Sequence, residues 1–583
     1  MNTIASPRVP LEANFAALDG ARLHYRHWPA RSASGKALVL FHRGHEHSRR
    51  WQETVDALGL EDCHVFAWDA RGHGASPGER GSARDIGVLI SDVDAFVAHI
   101  RDTHHIATED MVVVAHSVGA VVAAAWVHDY APKIRGLVLA TPALRVKLYV
   151  PFAVPMLRLK QAVFGHGYVR SYVKSHMLTH DKEQARIHAA DTQIFREIAV
   201  NILLDLHDTG ARLAEDSGAI QVPTLMFSGG ADWVVDNAIQ ERFMRNLGSA
   251  DKTLVMLPGF HHAVFHESDR HIVVKQIRHF AQRLFDAPCQ QPRGLVDADK
   301  AGYARDEYER LLREPKRPRS VVRRLVFGTL GRLSRGIRLG HRAGFDSGEM
   351  LDYVYENEPR GFPVIGKAFD KAYLDSPGWT GIRVRRANLE QLLGEAIDRQ
   401  AKAGMKPHIL DSACGGGRYV LETMASRRTS GVSAVLRDYR QQNLDKARSN
   451  RDALGVKDVD LVLGNAFDKS SYALDGRRPT IGIISGLLEL FPSNEPAKTL
   501  LGIFAEQLAA GSVLIYTNQP WHPQLEFIAG VLRNREGQPW VMRRRTQAEM
   551  DALVEAAGFE KVAQRSDQWG IFTVSVALRK ASA

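Results

Sequence analysis

The chain has 583 residues, 45% of them apolar and 24% charged, with a net charge of +10. That length exceeds what a single hydrophobic core serves, so two or three domains are expected, and the apolar fraction is ordinary for globular cores. Its three cysteines, Cys63, Cys289 and Cys414, are scattered and odd in number, which excludes a disulfide framework and points to a reducing compartment. The start, MNTIASPRVPLEANFAALDG, lacks a basic stretch followed by an apolar run, and the sequence holds no run of about 18 apolar residues. Neither a signal peptide nor a spanning helix is therefore expected, and the expected address is the cytoplasm.

In chain order, short Val/Leu/Ile-rich runs predict strands at 37–42, 64–69, 111–116, 136–141, 224–229 and 253–258, separated by longer helical patterns. Such alternation predicts a mostly parallel sheet covered by helices, filling a first domain over 1–286. The interval 142–221 breaks the rhythm and reads as a helical cap inserted between two strands. Within it, VKLYVPFAVPMLRL (146–159) is a candidate lining for an acyl slot or ordinary cap core.

The run Met111–His116 ends on Ser117, flanked by the small residues Ala115 and Gly119. A serine hydroxyl becomes nucleophilic only when a base removes its proton and donors stabilise the oxyanion. A tight strand-to-helix turn with small flanking residues exposes such a serine, and Asp232 and His262 follow later strands in the order Ser, Asp, His. Asp236 and His261 are their neighbouring competitors. Together with Asp69-Ala70-Arg71-Gly72-His73-Gly74-Ala75-Ser76 and Glu46-His47-Ser48-Arg49-Arg50, residues 10–285 resemble the monoacylglycerol lipase and lysophospholipase branch of the α/β-hydrolases. The resemblance implies Ser117 as nucleophile, His262 as base, Asp232 as orienter, main-chain N–H groups of Gly44 and Val118 as oxyanion hole, and a lipid-like ester as substrate. The loop His42-Arg43-Gly44-His45 departs from the family's His-Gly-x-Gly. Arg43 there either meets an anionic substrate group, narrows the acyl pocket, or faces solvent. Histidines 42, 47, 73 and 116 read as structural, and no zinc-ligand spacing occurs, so no metal is expected.

Residues 287–345 read as a linker. Between Arg313 and Arg342 ten basic residues face one acid, Glu314, a local balance of +9 that is most of the net charge. On a helical wheel Arg323, Arg324, Arg332, Arg335, Arg338 and Arg342 oppose Val322, Leu325, Val326, Leu330, Leu333 and Ile337, with Leu339 a misfit, while glycines 328, 331, 336 and 340 each weaken a helix by about 1 kcal/mol. Such a segment suits peripheral contact with anionic lipid at the inner membrane face, or packing between domains. Nucleic acid is a further reading, but no RNA-binding module accompanies it.

The third region, 346–583, starts with an aromatic, Gly/Pro-rich extension over 346–400 and then alternates again, with strands expected at 408–413, 433–438, 460–467, 481–486, 512–517 and 572–578. Asp411-Ser412-Ala413-Cys414-Gly415-Gly416-Gly417 closes the first strand and opens a helix, where glycine allows close backbone approach to a ligand. A dinucleotide fingerprint counted from Gly415 would place Val420 at its last small position, which a β-branched residue fits poorly. The acidic strand end resembles instead the first motif of class I S-adenosylmethionine-dependent methyltransferases. That resemblance implies Asp411, Ala413, Gly415 and Gly417 at the cofactor loop and Asp438 on the ribose hydroxyls. It places Asn465, Ala466 and Asp468 by adenine, and Ser485, with Gly486 and Glu489, beside cofactor and methyl acceptor. The stretches LDYVYEN, DSPGWTGIRVRR, SGLLELF, YTNQPWHPQLE and WVMRRRTQAEMD further resemble methyltransferase domains fused behind such hydrolases. Arg543, Arg544 and Arg545 precede a capping box, Thr546 to Glu549, and read as a solvated basic corner or a phosphate site.

The expectation is a bifunctional α/β protein, an α/β-hydrolase fold with a helical cap followed by a Rossmann-like methyltransferase fold. It would join a serine ester hydrolase to an S-adenosylmethionine-dependent methyltransferase acting on lipid-like substrates. Two alternatives stand beside it: one half serving only as a scaffold or ligand sensor, and an RNA methyltransferase with an accessory esterase.

Overall fold

In the computed structural model, which describes residues 7–289, 292, 294–361, 364–427, 431–472 and 477–581, the chain divides into two units, Met1–Arg293 and Gly294–Ala583. The first contains β1 (Leu11–Ala16), β2 (Arg22–Trp28), β3 (Ala37–Phe41), β4 (His64–Trp68), β5 (Met111–His116), β6 (Gly136–Ala140), a short ribbon of β7 (Tyr168–Arg170) and β8 (Glu197–Ala199), β9 (Thr224–Gly229) and β10 (Lys252–Leu257). The main sheet runs β1-β2-β4-β3-β5-β6-β9-β10, parallel from β4 to β10 with β1 and β2 antiparallel at one edge. Helices cover both faces, so residues of the inner strands are buried whichever way they point. Val39, Phe41 and Val113 pack into one core, and Leu38, Leu40, Val112 and Val114 into the other. All six expected strands are present. The β1–β2 hairpin was not anticipated, although Asp19-Gly20 at its turn, with Gly20 at φ 83°, is a hairpin signal.

Over 142–221 the chain forms helices Ala153–Phe164, Ser175–Leu178 and Lys182–Ala190 with the β7–β8 ribbon, then helix Val200–Asp216. This last helix buries Leu206 and Leu213 in the main core, so it belongs to the body of the unit.

The second unit holds β11 (His408–Asp411), β12 (Ser433–Asp438), β13 (Val459–Leu463), β14 (Ile481–Ile484), β15 (Val513–Asn518), β16 (Phe559–Ser566) and β17 (Thr573–Arg579). The order is β13-β12-β11-β14-β15-β17-β16, parallel except for β17, which is antiparallel to both neighbours. Strand order reverses between β11 and β14, and in open α/β sheets ligands bind beyond the carboxyl ends of the strands at such a point. β16 was not anticipated because its alternating, charged run carries a weaker signal than the buried parallel strands.

From Gly294 onward the expected linker is instead folded within the second unit. Helices Tyr303–Leu312, Pro318–Thr329 and Arg335–Ala343 occupy it, and the single amphipathic helix is divided by a 3₁₀ turn at Leu330–Leu333. The glycines read as helix-weakening are points of close approach. A Cβ on Gly340 would lie 2.3 Å from the Phe345 ring, and one on Gly336 would lie 2.9 Å from both Tyr353 and Tyr373. Three more helices, Gly348–Glu356, Val364–Leu374 and Pro377–Lys402, make up the extension. Among the described residues no helix is long and apolar enough to cross a membrane.

Candidate active sites

Ser117 sits between β5 and helix Val118–Tyr130 with φ 56° and ψ −114°, a strained conformation that costs about 1–3 kcal/mol and is held by its surroundings. Its N–H donates to Ala140 O at 2.9 Å, and its carbonyl accepts from Ala143 N at 3.1 Å. Gly119 is required: a Cβ there would lie 2.3 Å from His42 O. Ser117 Oγ is 2.7 Å from His262 Nε2, and His262 Nδ1 is 2.8 Å from Asp232 Oδ2. All three residues are buried. Burial alone would raise the Asp232 carboxyl, but His262 and the N–H groups of Val234 (2.7 Å) and Val235 (3.1 Å) outweigh it and hold its pKa below the ordinary value. The competitors lie elsewhere: Asp236 caps a helix through Ala238 N, and His261 N donates to Glu267. The main chain at His262 is held by contacts the sequence did not reveal. His116 Nε2 (3.1 Å) and Thr141 Oγ1 (2.8 Å) both donate to the carbonyl of His262.

Gly44 stands beside Val118, whose Cγ2 would be 3.0 Å from a Cβ on that glycine. Neutral His42 fixes this loop, donating from Nδ1 to Arg43 O at 2.7 Å and accepting Ala70 N–H on Nε2 at 3.0 Å. Burial keeps its pKa low. Asp69 accepts from Ser48 N (2.6 Å) and Ala75 N (2.8 Å), so the Asp69–Ser76 motif braces the loop. Arg43 does not face solvent. It is 5% exposed and pairs at 3.0 Å with Glu46, itself 3.3 Å from Arg50. From the cap, Lys147 Nζ donates to Asp232 O at 2.7 Å and Tyr149 OH to Trp233 O at 2.6 Å. The 146–159 stretch is not buried as cap core: Tyr149, Val150, Phe152, Met156 and Leu159 are exposed.

In the second unit a cavity of about 1440 Å³ opens at the switch point. Of the residues expected there, Ala413, Gly415, Asp438, Asn465, Ala466 and Ser485 line it. Gly415 has φ 55°, and a Cβ on it would meet nothing within 4 Å. Asp438 Oδ2 accepts Gly415 N at 3.0 Å, while Oδ1 accepts Arg440 N and Asn443 Nδ2 at 2.9 Å each. Asp411, Gly417 and Asp468 are not on the wall. Asp411 is fully buried and accepts from Tyr419 OH at 2.6 Å; burial pushes its carboxyl up to about 7, against the pull of that hydrogen bond. Gly417 is a packing point, its would-be Cβ 2.8 Å from Leu436. Asp468 turns away to cap its own loop, accepting Ser470 N at 3.0 Å and Ser470 Oγ at 2.7 Å.

Arg543, Arg544 and Arg545 are 2% exposed each, so the solvated-corner reading fails. Arg543 pairs with Glu549 at 2.6 Å, and Arg545 donates to the carbonyls of Leu488, Phe491 and Ser493, bracing the loop that carries Glu489. Arg385, from helix Pro377–Lys402, also reaches the cavity; it lies within the stretch DSPGWTGIRVRR, which marked the family resemblance but assigned no role to this residue.

Comparison with known proteins agrees with this division. Residues 277–579, over half the chain, match the family described as "Putative methyltransferase", and residues 32–269 match "Serine aminopeptidase, S33", an α/β-hydrolase family. The chain is 44% identical to the uncharacterized protein YnbC of Escherichia coli (strain K12), over 98% of this chain and 99% of that one. The first half is 26% identical to a monoacylglycerol lipase of Mycolicibacterium smegmatis, over 46% of this chain and 95% of the lipase. A solved monoglyceride lipase from Saccharomyces cerevisiae aligns with 49% of the chain and 99% of its own length, at 20% identity and a TM-score of 0.44. The expected fold classes hold: an α/β-hydrolase fold is followed by a methyltransferase-family domain with a mixed sheet. The chain thus belongs to that methyltransferase family, and joins its domain to a preceding monoglyceride lipase-like α/β-hydrolase.

Proposed function

We propose that the chain is a bifunctional enzyme, a serine ester hydrolase for lipid-like esters joined to an S-adenosylmethionine-dependent methyltransferase. The observation that carries the first half is the unbroken line Ser117 Oγ, His262, Asp232 at 2.7 and 2.8 Å. As Ser117 Oγ attacks the ester carbonyl, His262 Nε2 takes its proton. The oxyanion meets the N–H groups of Gly44 and Val118, a single donor of this kind being worth about 10²–10³ in rate. His262 then gives the proton to the departing alcohol, and a water activated by the same imidazole releases the acid from Ser117. The exposed apolar residues Tyr149, Val150, Phe152 and Met156, tied to the Asp232 loop through Tyr149, support an apolar acyl chain.

For the second half, the donor set fits the cofactor. Gly415 leaves open the space that a side chain would fill, and the Asp438 carboxylate at the rim is an acceptor suited to a ribose diol. Asn465 and Ala466 would flank the base, and Ser485 the transferring group. When bound, S-adenosylmethionine supplies an electrophilic methyl group; the residues here bind and orient it and keep water out.

Fluorophosphonate labelling of wild type and Ser117→Ala tests the first half, and labelling that survives the substitution refutes it. Calorimetry with S-adenosylmethionine, with Asp438→Ala as control, tests the second. The same reading gives 313–342 a peripheral contact with anionic lipid, since Val321, Val322 and Leu325 stand exposed beside Arg323. Equal flotation on anionic and neutral vesicles would reject that contact.

A further inference from the structure

The cavity of the second unit exceeds the roughly 300–1,000 Å³ typical of single-ligand pockets, so it has room for more than a nucleoside. Beside Gly486 stands Arg385, 8% exposed, with Nη2 3.4 Å from where a Cβ on that glycine would be. Among the described residues its guanidinium makes no hydrogen bond. It stacks over Phe572, 5.0 Å to the ring centre, and forms a long ion pair with Glu489 Oε1 at 3.8 Å, beyond hydrogen-bond distance. Glu489 Oε1 is itself engaged by Thr517 Oγ1 at 2.8 Å. The guanidinium thus lines the cavity with donors that no hydrogen bond occupies, and its planar fork matches a carboxylate.

From Arg385 the cavity wall continues as aromatic rings. Phe572 and Trp379 share one apolar cluster; Trp379 is 5.8 Å from Tyr373, Tyr373 is 6.5 Å from Phe345, and Phe345 is 6.1 Å from Phe327. All line the cavity, and Phe327 lies on helix Pro318–Thr329, whose Val321, Val322 and Leu325 are exposed. An anion anchor at one end of an apolar wall, with an apolar helix face at the other, describes the outline of a long-chain carboxylate.

We propose that this cavity takes a long-chain carboxylate as methyl acceptor, with Arg385 holding its head and the aromatic wall its chain. The inference rests on the methyl-donor reading above. In the reaction a carboxylate oxygen forms a C–O bond to the methyl carbon as the sulfonium C–S bond breaks. Anion and cation become a neutral methyl ester and a neutral thioether, so no proton needs a base. Ester hydrolysis at Ser117 yields this class of acid, so the product of one half is chemically the substrate of the other.

The test uses full-length protein and a diazirine-bearing hexadecanoate, with labelled peptides mapped by mass spectrometry. Label is expected on the peptides holding Phe327, Phe345 or Tyr373, reduced about tenfold in Arg385→Gln, as loss of a charge-assisted pair predicts. S-adenosylhomocysteine affinity should change by less than about threefold by the same scale. Label absent from those peptides, or unchanged in Arg385→Gln, overturns the proposal. So does an Arg385→Gln variant that loses S-adenosylhomocysteine but keeps 5′-methylthioadenosine, because it assigns the guanidinium to the cofactor's own carboxylate. Should Arg385→Gln fail to fold, Ala343→Phe, on the cavity wall, decides the matter: preference must shift from hexadecanoate to octanoate. Wild type that binds no S-adenosylhomocysteine refutes the methyl-donor reading separately, while the label pattern still reports on the carboxylate site.

Discussion

Replacing Asp232 with asparagine isolates the orienting role of this carboxylate from its structural one. Oδ1 accepts the N–H groups of Val234 and Val235 at 2.7 and 3.1 Å, which an amide oxygen can continue to do. The other oxygen, 2.8 Å from His262 Nδ1, becomes an NH₂ group and donates where it formerly accepted. The imidazole must then carry its proton on Nε2, the atom 2.7 Å from Ser117 Oγ, and can no longer receive the serine proton. The expected loss in kcat is about 10⁴-fold, the size found for this exchange in serine protease triads, equivalent to about 5.5 kcal/mol of barrier. Hydrolysis of p-nitrophenyl butyrate measures it, with a thermal melt to show that the fold persists. Asp236→Asn is the matched control: that carboxylate only caps a helix through Ala238 N, and kcat should stay within about twofold. An Asp232→Asn enzyme within tenfold of wild type would refute the assigned hydrogen-bond geometry.

Gly119→Ala should abolish esterase activity and cost about 3 kcal/mol or more, because the new Cβ would meet His42 O at 2.3 Å with only backbone to give way; denaturant unfolding of the first unit checks this. Asp438→Ala should weaken S-adenosylhomocysteine at least about tenfold by calorimetry, since it removes an acceptor at the cavity rim together with the partner of Gly415 N. Asp411, raised by burial from an unfolded value of 3.8 to about 7, keeps a proton in the folded state that the unfolded chain has released. The second unit must therefore lose stability as pH rises from about 4 to about 7 and level off above. Asp411→Asn should flatten that slope, read from hydrogen-exchange protection of β11; parallel profiles for the two proteins would contradict it.

Much of the sheet framework was legible because strands buried on both faces must be largely apolar, and β3, β5, β6, β9, β11, β12 and β14 announce themselves by short Val/Leu/Ile-rich runs. The edge strands β1 and β16 were not, since a half-exposed strand carries a diluted signal, nor was the inner strand β2, whose run RLHYRHW is buried although it carries two arginines and two histidines. Ser117, Asp232 and His262 could be named because each follows a strand in the order the chemistry permits, although the nearby rivals Asp236 and His261 are separated from them only by geometry. Sequence could not reveal what depends on distant segments meeting. Helical periodicity placed the arginines around 313–342 on one face, but which glycines admit Phe345 or Tyr373 is fixed by the partners that pack there. A solvent-facing Arg43 and a solvated corner at Arg543–Arg545 were among the readings the sequence left open because a guanidinium is usually solvated, and only the fold supplies Glu46, Glu549 and the carbonyls that make their burial tolerable. Local pattern thus set the elements and the order of the chemistry, while burial, ion pairing and the cavity wall were decided by contacts between residues far apart in the chain.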